Sequence, residues 1–168
     1  MRRKRPGAIL LWLLLLLCCL PPGRSLAGEI CGHRAAAVVE ITRGKTVVGS
    51  FSAALADTPR SRREGLMHCP SLAPNTGMLF VYPNAGERVF WMKNTIIELG
   101  IIFVSVQNRI ASIARGEPGS LEHIRSSDNV RLVLEVNYPE SRRLAVGDRV
   151  RVDLNTDTDG RQSGHYRP

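Results

Sequence analysis

The stretch from Gly77 to Val106, GMLFVYPNAGERVFWMKNTIIELGIIFVSV, sets the terms for any fold this chain adopts. It holds the densest apolar material after the first 27 residues, a Pro/Asn/Gly turn signal, and one short polar insert, Lys93-Asn94-Thr95. Its apolar runs, the longest from Ile96 to Val106, are rich in β-branched residues and bounded by turn formers. That pattern favours strands over an amphipathic helix. With few aromatics elsewhere, the core is expected to form around this stretch. A site is expected where polar residues interrupt it.

The remaining segments carry the same texture. Ala37 to Ile41 and Thr46 to Ala54 read as a hairpin turning at Arg43-Gly44-Lys45. Thr58 is placed to cap a short helix, with Pro59 at its first position and Gly65 near its end. Cys69 to Gly77 contains two prolines and reads as loop. Met78 to Tyr82, Glu87 to Lys93, Ile96 to Val106 and Arg109 to Ala114 read as strands, with a turn at Pro83 to Gly86. Gly116 to Asp128 is a long loop, of a length that usually covers or binds something. From Asn129 to Val136 the chain alternates: Val130, Leu132, Leu134 and Val136 share one face, Arg131 and Glu135 the other. A half-exposed antiparallel strand is predicted there. Tyr138 to Gly147 is irregular, and Arg149 to Leu154 is the last strand. The class predicted is all-β, a single compact sandwich or barrel of jelly-roll kind with one short helix.

The beginning of the chain has a different character. Arg2, Arg3, Lys4 and Arg5 precede 13 uninterrupted apolar residues, Ala8 to Leu20, and Ser25-Leu26-Ala27 supplies small residues for cleavage. Residues 1–27 are therefore expected to be an export signal. As a helix, 13 residues reach about 20 Å, short of the roughly 30 Å of a bilayer core, so no stable membrane span is expected. Cys18 and Cys19 lack the small preceding residue that lipid attachment requires. A frayed segment at 28–36, one β domain at 37–154 and a disordered tail at 155–168 complete the expected organisation. The location expected is the periplasm or the exterior.

Charge narrows the partner classes. Five of the 23 basic residues and none of the 15 acidic ones precede Gly28, which leaves a formal charge of +3 in place of +8. Arg60, Arg62 and Arg63, Arg142-Arg143, and Arg149 with Arg151 cluster without interleaved aromatics or a nucleic-acid motif. No nucleic-acid partner is expected. Cys31 and Cys69 are the cysteines left after the signal, and an oxidising compartment would favour a disulfide between them. The four histidines are scattered without metal-ligand spacing, and phosphate-loop, dinucleotide and hydrolase motifs are absent. Asn155, Asp157, Asp159 and Gly160 imitate the start of a calcium loop, but its closing position is Tyr166. Neither a metal nor a cofactor is expected.

Within the central stretch, Trp91 reads either as a core aromatic or as the wall of a pocket at the sheet edge. A regular strand would put Lys93 on the same face as Trp91, where an ammonium beside an indole suits an anionic or hydroxyl-rich ligand. Lys93, Asn94 and Thr95 read either as a bulge or tight turn, with Asn94 in an awkward backbone conformation, or as a binding site. Glu98 is a further candidate, and the loop from Gly116, with Glu122 and His123, is a candidate rim.

Phe51 to Met67 (FSAALADTPRSRREGLM), Gly77-Met78-Leu79-Phe80, Phe90 to Thr95 (FWMKNT), Val133-Leu134-Glu135 and Val146 to Val150 arrive in an order that resembles the small bacterial and archaeal family called domain of unknown function 192. The resemblance spans roughly residues 37 to 154 and implies a compact all-β fold, often exported, with no established reaction. Two departures stand out. His68 follows Gly65-Leu66-Met67 where the family tends to have arginine, and Glu98-Leu99-Gly100 stands where it tends to have proline, leucine and aspartate.

The leading expectation is an exported domain that binds a small polar ligand or an envelope component through Trp91, Lys93, Asn94, Thr95 and Glu98. A hydrolase or transferase using Lys93 with Glu98 or Glu122 is the second, although no nucleophile is identifiable. A purely structural or protein-interaction module is the third.

Overall fold

The computed structural model describes residues 28–154. The export signal, Cys18, Cys19 and the calcium-like tail fall outside these residues. Among the described residues the chain is mostly β-strand, with two sheets and two short helices. No helix among them is long and apolar enough to cross a membrane.

The first hairpin joins β2 (His33–Arg43) to β3 (Thr46–Ala56) in antiparallel register. Its turn lies at Gly44, whose φ of 60° suits a residue without Cβ. Next, β3 pairs in parallel with β4 (Thr76–Gly86). A parallel partner cannot be reached by a tight turn, so the chain crosses between the strand ends through residues 57–75. That crossover contains helix α1 (Pro59–Glu64). Thr58 accepts a hydrogen bond from the Ser61 amide, Ser61 Oγ accepts one from the Thr58 amide, and Gly65 ends the helix at φ 48°. Six residues are too few to hold a helix alone, and none of the six is buried. What fixes the crossover is Leu66, Cys69 and Leu72, buried behind it.

The strand order continues β4–β9–β6–β7, formed by β6 (Leu99–Ser105), β7 (Ile110–Gly116) and β9 (Val130–Asn137). At the other end, β1 (Glu29–Ile30) and β10 (Arg149–Leu154) both pair with β2. The β10 and β7 ends meet through one isolated bridge, Arg109↔Arg149. This contact curls the sheet without pairing the full length of its two edges, so strand order describes it better than a closed barrel or a single sandwich does. Short strands β5 (Val89–Phe90) and β8 (Ile124–Arg125) form the second sheet.

Each face of the large sheet carries its own core. Phe51, Leu79, Ile102, Val104, Leu132 and Leu134 belong to one. Met78, Phe80, Ile101, Phe103 and Val133 belong to the other, with Leu66, Phe90 and Met92 of the covering segments packed on them. Successive residues of β4, β6 and β9 thus enter opposite cores, as the pleat requires. All seven residues of β6 are buried.

Several expectations change. The segment predicted as strand from Glu87 to Lys93 keeps regular pairing only at β5. The long apolar run loses Ile96 and Val106, both exposed, from its ends. Strand β4 continues through the predicted turn at Pro83, because its ladder with β9 skips from Val81 to Gly86 and needs no proline amide. The long loop contains β8. A second helix, α2 (Tyr138–Ser141), forms where an irregular stretch was predicted, with Pro139 in its first turn. Residues 28–36 carry β1 and the start of β2, and Cys31 is joined to Cys69 by a disulfide with the Cα atoms 5.3 Å apart.

The largest change concerns β9. It is not half-exposed: both faces are covered, and Glu135 is 5% exposed. Its neighbour Gly77 is needed for this packing, since a Cβ there would strike the Glu135 backbone carbonyl. Replacing Gly77 with alanine should therefore lower stability by at least about 1–3 kcal/mol. Thermal unfolding of Gly77→Ala beside Gly28→Ala, where a Cβ meets open space, checks this: only the first should melt lower.

Candidate functional site

A concavity opens over the outer face of β9, between the end of α1 and the segment after β5. Its lining includes Arg62, Met67, Phe80, Phe90, Trp91, Thr95 and, within it, Glu135. Glu135 pairs across the sheet with Met78 on one side and Ile101 on the other, both fully buried. Phe80, Phe90 and Phe103 stack edge to face beside it, with centroids 5.0 and 5.8 Å apart. The space open to the centre of a water-sized sphere is about 40 Å³. One water needs roughly 10–15 Å³ by that measure, so the cleft takes a small head group.

Among the described residues Glu135 has no hydrogen bond or ion pair, and its oxygens are not among the sealed, unpartnered atoms, Arg88 Nε and Ser112 Oγ. They face the concavity. Burial pushes this carboxyl up from 4.5 to about 8, since the charged form loses its hydration with nothing to replace it. The nearest cations are committed elsewhere. Arg62 donates to the Val81 carbonyl at 2.9 Å and to the Asp57 carbonyl, and it stacks on Tyr82 at 5.0 Å. Arg88 lies over the same ring at 4.0 Å.

The segment singled out in the sequence folds as a turn. The Thr95 amide donates to the Met92 carbonyl at 3.0 Å, and Asn94 takes φ 57° at the third position, where a residue tolerating the left-handed region is required. The Asn94 carbonyl accepts from the His68 amide at 2.8 Å, and the Thr95 carbonyl from the Gly119 amide at 2.9 Å. The turn is thereby stapled to the crossover on one side and to the long loop on the other. Trp91 and Thr95 reach the concavity; Lys93, Asn94 and Glu98 do not line it. Lys93 is exposed and sets its ammonium 5.3 Å from the Trp91 ring centre, although no regular strand joins them. Trp91 itself remains 44% exposed. Glu98 is held in an ion pair with Arg115. Glu122 and His123 are exposed on the loop, and the pairing of Lys93 with either glutamate that a hydrolase would use is not assembled.

Sequence reasoning passed over Glu135 and Arg62. The available signal was Val133, which shares the Glu135 face and is too apolar for a solvated one.

Two positions where the chain departs from the family pattern also have a local account. His68 is exposed and adopts φ 62°. At Gly100 a Cβ would overlap Ser141 of α2, so the place of an aspartate side chain is filled. No group of three or more His, Cys, Asp or Glu side chains that could hold a metal occurs among the described residues.

The raised carboxyl has a consequence for stability. The folded form holds its proton above the pH at which the unfolded chain releases it, so folding loses free energy as pH rises from about 4.5 to about 8. Below that window the term vanishes. Glu135→Gln, which cannot ionise, should match the native chain near pH 4 and exceed it by a few kcal/mol at pH 8. Urea unfolding of both proteins across that range tests the sign.

Crystal structures of two bacterial proteins share the fold. One, from Sinorhizobium meliloti 1021, is provisionally described as a transcription regulator; it is 30% identical, covers 74% of this chain and 98% of its own, and has a TM-score of 0.68. The other, of unknown function, from Novosphingobium aromaticivorans DSM 12444, is 27% identical, covers 77% and 99%, and has a TM-score of 0.67. No curated protein matches the sequence. Residues 37–152 match the family described as domain of unknown function 192, uncharacterized ACR, and the chain belongs to that family.

Proposed function

We propose that this chain is an exported domain that binds a small polar ligand in the concavity over Glu135. The observation that carries the reading is a buried carboxyl with no partner among the described residues, opening into a cleft with an indole at its mouth. Carboxyl groups of this kind are costly, and they cluster where a ligand completes their hydrogen bonding. The ligand-binding centre shifts from the Lys93–Glu98 stretch to Glu135, Thr95 and Trp91, with Lys93 as a flanking charge. Asn94 shapes the turn, and Glu98 belongs to a surface ion pair.

Export is supported by the basic and apolar character of residues 1–27 and by the Cys31–Cys69 disulfide, since such bonds persist in oxidising compartments. The disulfide ties the first strand to the crossover that roofs the cleft, and closing a loop of this length is worth roughly 4 kcal/mol.

Native mass spectrometry of protein taken directly from the envelope fraction should show a small bound mass. Glu135→Leu should lose that mass while remaining folded, as its circular dichroism would show. Lys93→Met should weaken retention with little change in melting temperature. A native chain that carries no added mass and retains nothing from an envelope extract would overturn the reading.

A further inference from the structure

Resting on that reading, we infer that the ligand presents a small oxygen acceptor, a carboxylate or similar compact anion, held by hydrogen bonds from the Glu135 carboxyl and the Thr95 hydroxyl in the cleft. Two observations converge on this polarity. Inside the cleft, a carboxyl kept in its protonated form carries one O–H donor, and no protein acceptor takes it. Thr95 adds a second hydroxyl, whose contact with the Lys93 carbonyl at 3.5 Å is too long to commit it.

At the mouth the charges are mostly positive. Arg62 and Arg63 come from α1, and Lys93 stands beside Trp91. Glu64, the one acidic residue of that rim, is paired with Arg60 at 2.8 Å. An ammonium ligand would have to pass three cations and could pair with Glu135 only after that carboxyl had released its proton to water. An anion is drawn in by the same cations and finds a donor already made. The size of the cleft restricts the seated part to a few atoms, leaving the rest of the ligand against Trp91.

The binding is therefore linked to a proton. Ionised Glu135 would face the ligand charge across a dry space, so affinity for a carboxylate should fall by roughly tenfold for each pH unit above the titration of Glu135. Other charged or titratable groups packed around the cleft are Arg62, Arg63 and Glu64 on α1, Tyr82 on β4 with Arg88 over its ring, His68 after Met67, and Lys93 in the turn; His68→Gln serves to remove any share of the imidazole.

Calorimetric titration of the full chain with acetate and glycolate, and separately with methylammonium and ethanolamine, at pH 6 to 9.5 tests the inference. The carboxylates should bind at pH 6 to 7 and weaken above about 8. Glu135→Gln keeps an N–H donor but does not ionise, so its carboxylate affinity should stay level across the range. Glu135→Met should bind neither class. Binding of the ammonium ligands that strengthens with pH and disappears in Glu135→Gln would overturn the inference while leaving a ligand site in place. Heat from neither class, in a chain that remains folded, would overturn the inference and the function it rests on together.

Discussion

Strand β9 lies between β4 and β6 and is packed on both faces, and this double covering governs the rest of the molecule. A strand with one wet face can alternate apolar and charged residues at no cost. Once the second face is roofed, each residue on it must be apolar, paired or neutral. Val133 meets the first condition and Glu135 the third, by holding its proton. Gly77 answers a different demand of the same packing, because β4 approaches the Glu135 carbonyl too closely for any side chain.

The roof itself follows from sheet order. Because β3 and β4 run parallel, the chain must cross from one end of the pair to the other, and the crossover passes over the outer face. Its helix is too short to be stable alone, so it is secured at several points: the Thr58–Ser61 cap, Leu66 and Leu72 in the outer core, and Cys69 bonded to Cys31. The turn at Lys93-Asn94-Thr95 supplies the other half of the roof and is stitched to the crossover through His68. The cleft is the seam between these two halves. Backbone hydrogen bonds, His68 to Asn94 and Gly119 to Thr95, hold the turn in place beside it.

Much of the fold was legible in the sequence because its signals are local. The β2–β3 hairpin, the Thr58 cap with Pro59 after it, the stop at Gly65 and the unusual backbone at Asn94 all depend on a few neighbouring residues. The site was only half legible. Trp91 stood out just before a polar break in an apolar run and Thr95 at its end, yet Lys93 and Asn94 in that break serve the mouth and the turn, and Glu98 beyond it a surface ion pair. Glu135 was hidden by alternation: Arg131, Val133 and Glu135 share a face, and the two charged residues suggested water. Whether that face is wet depends on a crossover some seventy residues earlier in the chain, and no window around Glu135 contains it. The second helix has only four residues, too few to leave a periodic signal, and Pro139 sits in its first turn, where a missing amide costs nothing.

A buried carboxyl without a partner weakens the fold that contains it, and an apolar side chain of similar volume would relieve the loss. The alternative of a purely structural role must therefore explain what Glu135 contributes to packing that leucine or methionine would not. Among the described residues it makes no hydrogen bond and no ion pair, and the residues flanking it across the sheet, Met78 and Ile101, ask for nothing polar. The contrast with Asp148 is instructive. That carboxylate exposes as little surface but lies shallower, and it is bonded by Arg43 at 2.9 Å and by the Ala145 amide at 2.8 Å, which hold it below the usual carboxylate range and give it an evident part in the turn before β10. One acid is fully employed by the protein, while the other keeps its proton and faces an opening. Under the proposed function, a group that costs stability and that the described residues leave unsatisfied has its hydrogen bonding completed by a molecule entering from outside.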